Sequence, residues 1–325
     1  MLDVNLKQRR LGWVGTGRTG YALAGRLLEA GCDLAVYNRT RSKAEPLAEL
    51  GAEIVDSPGG LADRDIVFTM VAGPADFKEV VLGRSGLLSQ DGSAPAVVVD
   101  SSTVSPRASA EVRERTAAHG TALVAAPVSG NPRVVEAGRL TFVASGPEEA
   151  FRQALPYLEL LGAGVTYVGE GERARLVKIC HNLMLGVVAQ SMAEITVLAE
   201  KGGVSRADLL AFLNDSVMGS LFTRYKTPAF VNLDFTPTFT PELLFKDFEL
   251  GFEAAREHGV PMPVAAAAQQ TVQALMGHGY GDVDFAALLE LEARASDLQL
   301  EPESVAVSDG LDDGRVGVAG ARSPA

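Results

Sequence analysis

Lys178 and Asn182 stand one helical turn apart in "RLVKICHN", residues 175–182, and the apolar character continues into "LMLGVVAQSMAEI". A buried ammonium without a partner is costly, because water no longer solvates it. Lys178 is therefore either paired or faces a cavity where something needs a proton. A second candidate lies near the start of the chain. In "LGWVGTGRTGYALAGRLLEAG", Gly15, Gly17 and Gly20 follow the G-x-G-x-x-G spacing after a short apolar run and before a helical apolar period. The first glycine permits a tight turn, the second lets backbone approach a pyrophosphate, and the third lets helix and strand pack closely. The helix N-terminus adds unpaired N–H groups and partial positive charge. With a strand before it, a helix after it and the strand "DLAVY" beyond, the context of a dinucleotide site is complete.

The end of that second strand decides the cofactor. An NAD site carries Asp or Glu there for the ribose hydroxyls, whereas an arginine accommodates the extra phosphate of NADP. Here Asn38, Arg39 and Thr40 follow the strand. NADP(H) is expected in preference to NAD(H), with Arg39 and Thr40 at the 2′-phosphate. The turn residues Gly15, Thr16, Gly17, Arg18, Thr19 and Gly20 complete the expected cofactor contacts, together with Asn38.

These residues need elements to position them. The runs "DIVFTMV" and "AVVVDSST" read as parallel strands covered on both faces, and "SPRASAEVRERTAAHG" as a helix capped by Ser105 with Pro106 at its first position. "TALVAAPVSG", "RLTFVASG" and "VTYVGEG" are expected to continue the sheet. The βαβ alternation makes residues 1–168 one α/β domain of Rossmann type, a doubly wound parallel sheet. Ligands bind at the carboxyl ends of such strands, which places Val71 to Gly73, Ser102 and Thr103, and Ser129 and Gly130 around one crevice, with Val71, Ala72 and Thr103 expected at the cofactor. From about residue 172 the pattern turns helical, beginning with one helix of some 30 residues that ends at Gly202-Gly203. Residues 169–300 are expected to form an all-helical second domain for substrate and dimerisation. Residues 301–325 carry five acids against two arginines and no aromatics, and read as a disordered tail.

Composition narrows the function classes. The chain has 325 residues, 47% hydrophobic, with a net charge of −12, a poor match to nucleic-acid binding. The two cysteines, Cys32 and Cys180, form no C-x-x-C pair and the four histidines show no metal-site spacing; both thiols are expected buried and reduced, in the cytoplasm, with no metal. No transmembrane helix and no secretory signal are expected.

Several stretches together resemble one family. "GWVGTGRTG", "VYNRTRSKAEPLAELGA", "VVDSSTVSP", "APVSG", "RLVKICHN" and "FKDFELGFEAAREHGVPMP" occur in the order and spacing of the β-hydroxyacid dehydrogenases, over roughly residues 10–298. That group includes 3-hydroxyisobutyrate dehydrogenase, tartronate semialdehyde reductase and the glyoxylate/succinic semialdehyde reductases, with 6-phosphogluconate dehydrogenase more distant. The resemblance implies that Lys178 and Asn182 are the chemical centre. Being i and i+4 they share a helical face; the ammonium would give a proton to a carbonyl oxygen as hydride reaches the carbon, or stabilise the alkoxide. It further implies Ser129, Gly130 and Asn131 around a substrate carboxylate, Thr103 near the nicotinamide, and Lys246 on the cofactor side. A homodimer or homotetramer across the apolar helical half is expected, with a small carboxylate or aldehyde as substrate.

The chain departs from the family at Ala125, Asn131, Arg133 and Val134, around the substrate loop, and at Thr19 beside the glycine turn. The reaction class survives these changes; the identity of the substrate does not. The roles of His181 and Arg133 stay open. Two other readings are an imine reductase of this architecture, which commonly has Asp or Tyr where this chain has Lys178, and a non-catalytic NADP-binding module, in which the lysine would have been lost.

Overall fold

Alternate residues of the central strands feed two separate apolar layers, which is why their sequences are apolar almost throughout. The computed structural model describes residues 8–90 and 92–311. In chain order, β1 (Arg10–Val14), α1 (Arg18–Glu29), β2 (Asp33–Tyr37), β3 (Glu53–Ile54), β4 (Ile66–Thr69), α2 (Pro74–Leu82), β5 (Val97–Asp100), α3 (Pro106–Ala117) and β6 (Ala122–Ala125) build a six-stranded parallel sheet of order β3-β2-β1-β4-β5-β6. Leu11, Trp13, Ile66, Phe68, Val97 and Val99 pack into one layer, and Val14, Val67 and Val98 into the other, with Phe77 and Val81 of α2 and Val112 of α3. Strand order reverses between β1 and β4, the topological switch at which such sheets bind ligands.

β7 (Val128–Ser129), α4 (Pro132–Glu136), β8 (Thr141–Ala144), α5 (Glu148–Leu161) and β9 (Gly164–Tyr167) follow. The expectation that "RLTFVASG" and "VTYVGEG" extend the main sheet is corrected. They join β7 in a second sheet of order β7-β8-β9, linked to β6 by an isolated bridge from Ala125 to Ser145. Pro127 explains the break: it has no N–H to continue a ladder, and its carbonyl accepts instead from Val143 N.

The rest of the described chain is helical: α6 (Arg173–Lys201), α7 (Arg206–Asp215), α8 (Leu221–Asn232), α9 (Pro241–His258), α10 (Pro263–Gly277) and α11 (Leu288–Ala295). α8 has a weak signal in the sequence. Pro228 and several β-branched residues mask it in the sequence, but a reciprocal capping box between Ser220 and Thr223 starts it. By length and mean hydropathy α6 is sufficient to cross a bilayer, contrary to expectation; half of its most apolar window is buried in protein, as in a core helix.

By packing, the chain divides into two compact units. One runs up to Leu183 and includes Asp247–Pro261; the other holds Met184–Lys246 and the chain from Met262 onward. The opening turns of α6 belong with the sheet because they are tied to it: Ala174 N donates to Ser145 Oγ, and the Arg175 guanidinium to the Ser102 carbonyl.

The second unit is built around a buried ion pair. Lys226 and Asp284 are 3% and 1% exposed, with Lys226 Nζ 2.5 Å from Asp284 Oδ1 and over the Phe285 ring. Asp284 also accepts from Thr238 N, Thr238 Oγ1, Phe239 N and Ala286 N. Burial pushes its carboxyl up, but the Lys226 charge and these donors outweigh that and hold it below the ordinary carboxylate value. The expectation of a disordered tail from residue 301 is corrected for 301–311. Buried Arg206 donates to the Glu301 carbonyl, Glu303 accepts from Arg206 N and Ala207 N at the start of α7, and Asp309 and Leu311 are buried. The remaining tail, 312–325, lies outside the described residues. Of the cysteines, Cys32 is buried but Cys180 is exposed, because it lies off the covered face of α6.

Candidate active site

The glycine turn sits at the carboxyl end of β1, where geometry forces two of its glycines. Gly15 has φ +98°, and a Cβ there would fall 2.2 Å from the Met70 carbonyl oxygen; a Cβ at Gly20 would fall 2.2 Å from that of Gly15. Gly17 differs: nothing lies within 4 Å of where its Cβ would be, and the residue is exposed. The protein's own packing does not require that glycine, so it leaves a cradle beside the N-terminus of α1 that a side chain would fill. This fits a dinucleotide pyrophosphate. Beneath the turn, the Trp13 indole N–H donates to the Gly15 carbonyl at 2.8 Å and the ring stacks on Phe68.

The residues after β2 are held to this turn. Asn38 Oδ1 accepts from Thr16 N at 2.9 Å, Asn38 Nδ2 donates to the Thr40 carbonyl, and Thr16 Oγ1 donates to that of Lys43. Arg39 reaches out, its side chain 83% exposed, and pairs with Asp76 of α2 at 2.9 Å. No carboxylate side chain stands at positions 38–40. At the ends of β4 and β5, Val71 N donates to Ser102 Oγ, which donates to Asp100 Oδ1; Val71 and Thr103 are half-buried and Ala72 is exposed.

Lys178 is paired. Its ammonium donates to Asn182 Oδ1 at 2.8 Å, and His181 Nδ1 lies 2.8 Å from the same oxygen. Asn182 Nδ2 donates to Asp247 Oδ2 at 2.5 Å, while Ser129 Oγ lies 3.0 Å from His181 Nε2. The chemistry of the groups sets the direction of each bond. A carboxylate only accepts, so the Asn182 amide turns its nitrogen to Asp247 and its oxygen to Lys178 and His181. That oxygen only accepts, so His181 carries its proton on Nδ1, and Nε2 accepts from the Ser129 hydroxyl. His181 as a residue is exposed, yet protein atoms crowd its ring. That desolvation, and then the Lys178 ammonium, lower its pKa against the opposing pull of Asn182 and Asp247, so the ring is neutral at neutral pH.

The structure therefore brings together Lys178, Asn182, Ser129 and His181, and adds Asp247, which the sequence reading left without a role. Asn182 is 3% exposed: its oxygen orients Lys178, and one amide hydrogen remains beyond the bond to Asp247. Gly130, at φ +140°, abuts Leu140 and Val134 so closely that a Cβ would lie 2.8 Å from each. The Asn131 side chain is buried and caps α4, accepting from Val134 N at 3.1 Å. Lys246 is half-buried in the second unit. Among the described residues, no group of three or more His, Cys, Asp or Glu is placed to hold a metal ion.

Comparison with known proteins matches both parts of the chain. Residues 10–169 match the NAD binding domain of 6-phosphogluconate dehydrogenase, and residues 172–291 the NAD-binding domain of NADP-dependent 3-hydroxyisobutyrate dehydrogenase. Glyoxylate/succinic semialdehyde reductase 1 of Arabidopsis thaliana is 31% identical over 281 residues, covering 86% of this chain and 97% of the relative. The crystal structure of 3-hydroxyisobutyrate dehydrogenase from Salmonella typhimurium superposes with a TM-score of 0.78 at 26% identity, covering 87% of this chain and 100% of that one. Psf3, solved in complex with NADP+ and 2-OPP, gives a TM-score of 0.78 at 25% identity over 86% and 99% of the two chains.

Proposed function

The chain belongs to the β-hydroxyacid dehydrogenase family, and on that footing we propose that it is an NADP(H)-dependent oxidoreductase interconverting a small hydroxy acid and its semialdehyde or keto acid, with Lys178 as general acid and base. The observation that carries this reading is the orientation of one amide. Asp247 fixes the nitrogen side of Asn182, and the oxygen side holds the Lys178 ammonium, so a buried anion sets the direction of a proton donor through a single side chain.

When bound, the nicotinamide cofactor supplies or accepts the hydride. The chain's own residues handle the proton and the carboxylate. In reduction Lys178 delivers a proton to the carbonyl oxygen while the carbon gains hydride, leaving an alcohol and a neutral amine; in oxidation the amine takes the proton back. Ser129 and the N–H of Gly130 pin the substrate carboxylate so that the reacting carbon stays in register. His181, neutral and fixed as its Nδ1–H tautomer, holds the Ser129 hydroxyl proton until a carboxylate draws it away by rotation about the Cβ–Oγ bond. Arg39 and Thr40, with Asn38 in place of an acid, support NADP(H) over NAD(H). Exposed Met184, Leu198, Phe212 and Met218 in the helical unit support self-association.

NADPH consumption with glyoxylate, short semialdehydes, keto acids and cyclic imines tests the reading. Turnover of a carbonyl acid is expected, and Lys178→Met should lower kcat by about 10²–10⁴-fold with NADPH still bound. Imine-only turnover, or an undiminished Lys178→Met enzyme, refutes it.

A further inference from the structure

Arg175 lies one helical turn before Lys178. It is 1% exposed. Its guanidinium meets three elements and the loop after β5 at once. It pairs with Asp100 Oδ2 at the end of β5 at 2.7 Å, donates to the Ser102 carbonyl at 2.7 Å and to Ser109 Oγ of α3 at 3.1 Å, and lies 5.7 Å from the centre of the Phe77 ring on α2. Glu172 Oε2, just before the first residue of α6, is 4.0 Å away.

Asp100, fully buried, takes the other side of the arrangement. Its Oδ1 accepts from Thr69 Oγ1 at the end of β4 at 2.6 Å and from Ser102 Oγ at 2.7 Å, and Ser102 Oγ accepts in turn from Val71 N. The backbone after β4, the loop entering Thr103 and the helix carrying Lys178 thus converge on one ion pair. A buried pair of this kind is weak evidence for stability, because desolvation offsets its attraction; its geometric role is stronger, since a planar guanidinium fixes several acceptors at set angles.

We propose that Arg175 is a positioning residue for the reaction: through Asp100 and the Ser102 carbonyl it locks Lys178 in register with the loops at the carboxyl ends of β4 and β5. Lys178 follows Arg175 by three residues and shares its face of α6, so a shift of the anchor moves the ammonium relative to Thr103 and Val71. The proposal rests on the functional reading above for its catalytic consequence, but not for the geometry it predicts.

Because removing one partner of a buried pair alone can unfold a protein, the decisive variant is the double one, Arg175→Met with Asp100→Asn, beside Arg175→Lys. The expected result is a folded double variant whose NADPH affinity stays within about 3-fold of wild type, since the Gly15–Gly20 turn is untouched, while kcat drops roughly 10–100-fold as the reacting groups lose register. Arg175→Lys should recover part of that loss. Acetic anhydride labelling of Lys178, quantified by mass spectrometry, should proceed faster in the double variant whether or not turnover is measured. A wild-type kcat with unchanged labelling overturns the proposal, as does a double variant that cannot fold, which would make Arg175 a stability residue only. If the wild-type chain reduces no carbonyl, the functional reading falls and the labelling result alone decides for or against Arg175.

Discussion

Asp284→Ala should destabilise the protein more than Lys226→Met, although both remove half of the same ion pair. Asp284 accepts from Lys226 Nζ, two groups of Thr238, Phe239 N and Ala286 N. Truncating it strands a buried ammonium, a cost of about 3–5 kcal/mol, and orphans backbone N–H groups at about 1–3 kcal/mol each where water cannot reach. A total near 5 kcal/mol is expected once water entry into the vacated space is allowed. Lys226→Met keeps the side-chain length and leaves the carboxylate its other four donors, so its loss is about 2 kcal/mol. Urea unfolding at neutral pH, followed by far-ultraviolet circular dichroism, measures both. The reasoning is wrong if Lys226→Met costs as much as Asp284→Ala, or if both fall below about 1 kcal/mol. A pH series adds a sign. The Asp284 carboxyl is held below its ordinary value, so the unfolded chain takes up the proton first. The stabilisation is complete above the ordinary carboxylate range and disappears as pH falls through the lowered folded value. Wild type should lose this increment in acid, and the Asp284→Ala protein should show a flatter acid limb.

Two glycines of one turn should separate folding from binding. Gly15→Ala, with its Cβ 2.2 Å from a carbonyl oxygen at a left-handed φ, should lower Tm by many degrees or abolish soluble expression, whereas Gly17→Ala should leave Tm unchanged and weaken NADPH binding at least about 10-fold, as calorimetry would read. Arg39→Ala should reduce the NADPH-over-NADH ratio of kcat/KM by about 10–100-fold, the worth of one charge-assisted contact; an unchanged ratio would remove Arg39 from the phosphate site.

The local parts of the site were legible in the sequence because local backbone rules wrote them. The spacing of Gly15, Gly17 and Gly20 encodes a turn, and the step from Lys178 to Asn182 encodes a shared helical face. Their partners were not legible. Asp247 meets Asn182 from 65 residues away, and Asp100 lies 75 residues before Arg175; nothing in the spacing of such pairs distinguishes them from solvated charges. The second sheet was misread for a related reason: apolar alternation marks a strand but not its neighbour, and Pro127 alone hinted that the ladder stops. α8 was hidden by Pro228 inside it, and the order of 301–311 by a composition that ignores Arg206 waiting beneath.

The chain has one tryptophan, and it lies under the nucleotide turn with its N–H on the Gly15 carbonyl. Indole emission, excited at the red edge where the six tyrosines do not absorb, thus reports from a single known place without a label. Titrating the dinucleotide while watching that signal gives an optical binding curve for wild type and every variant above, including those too slow to assay by turnover.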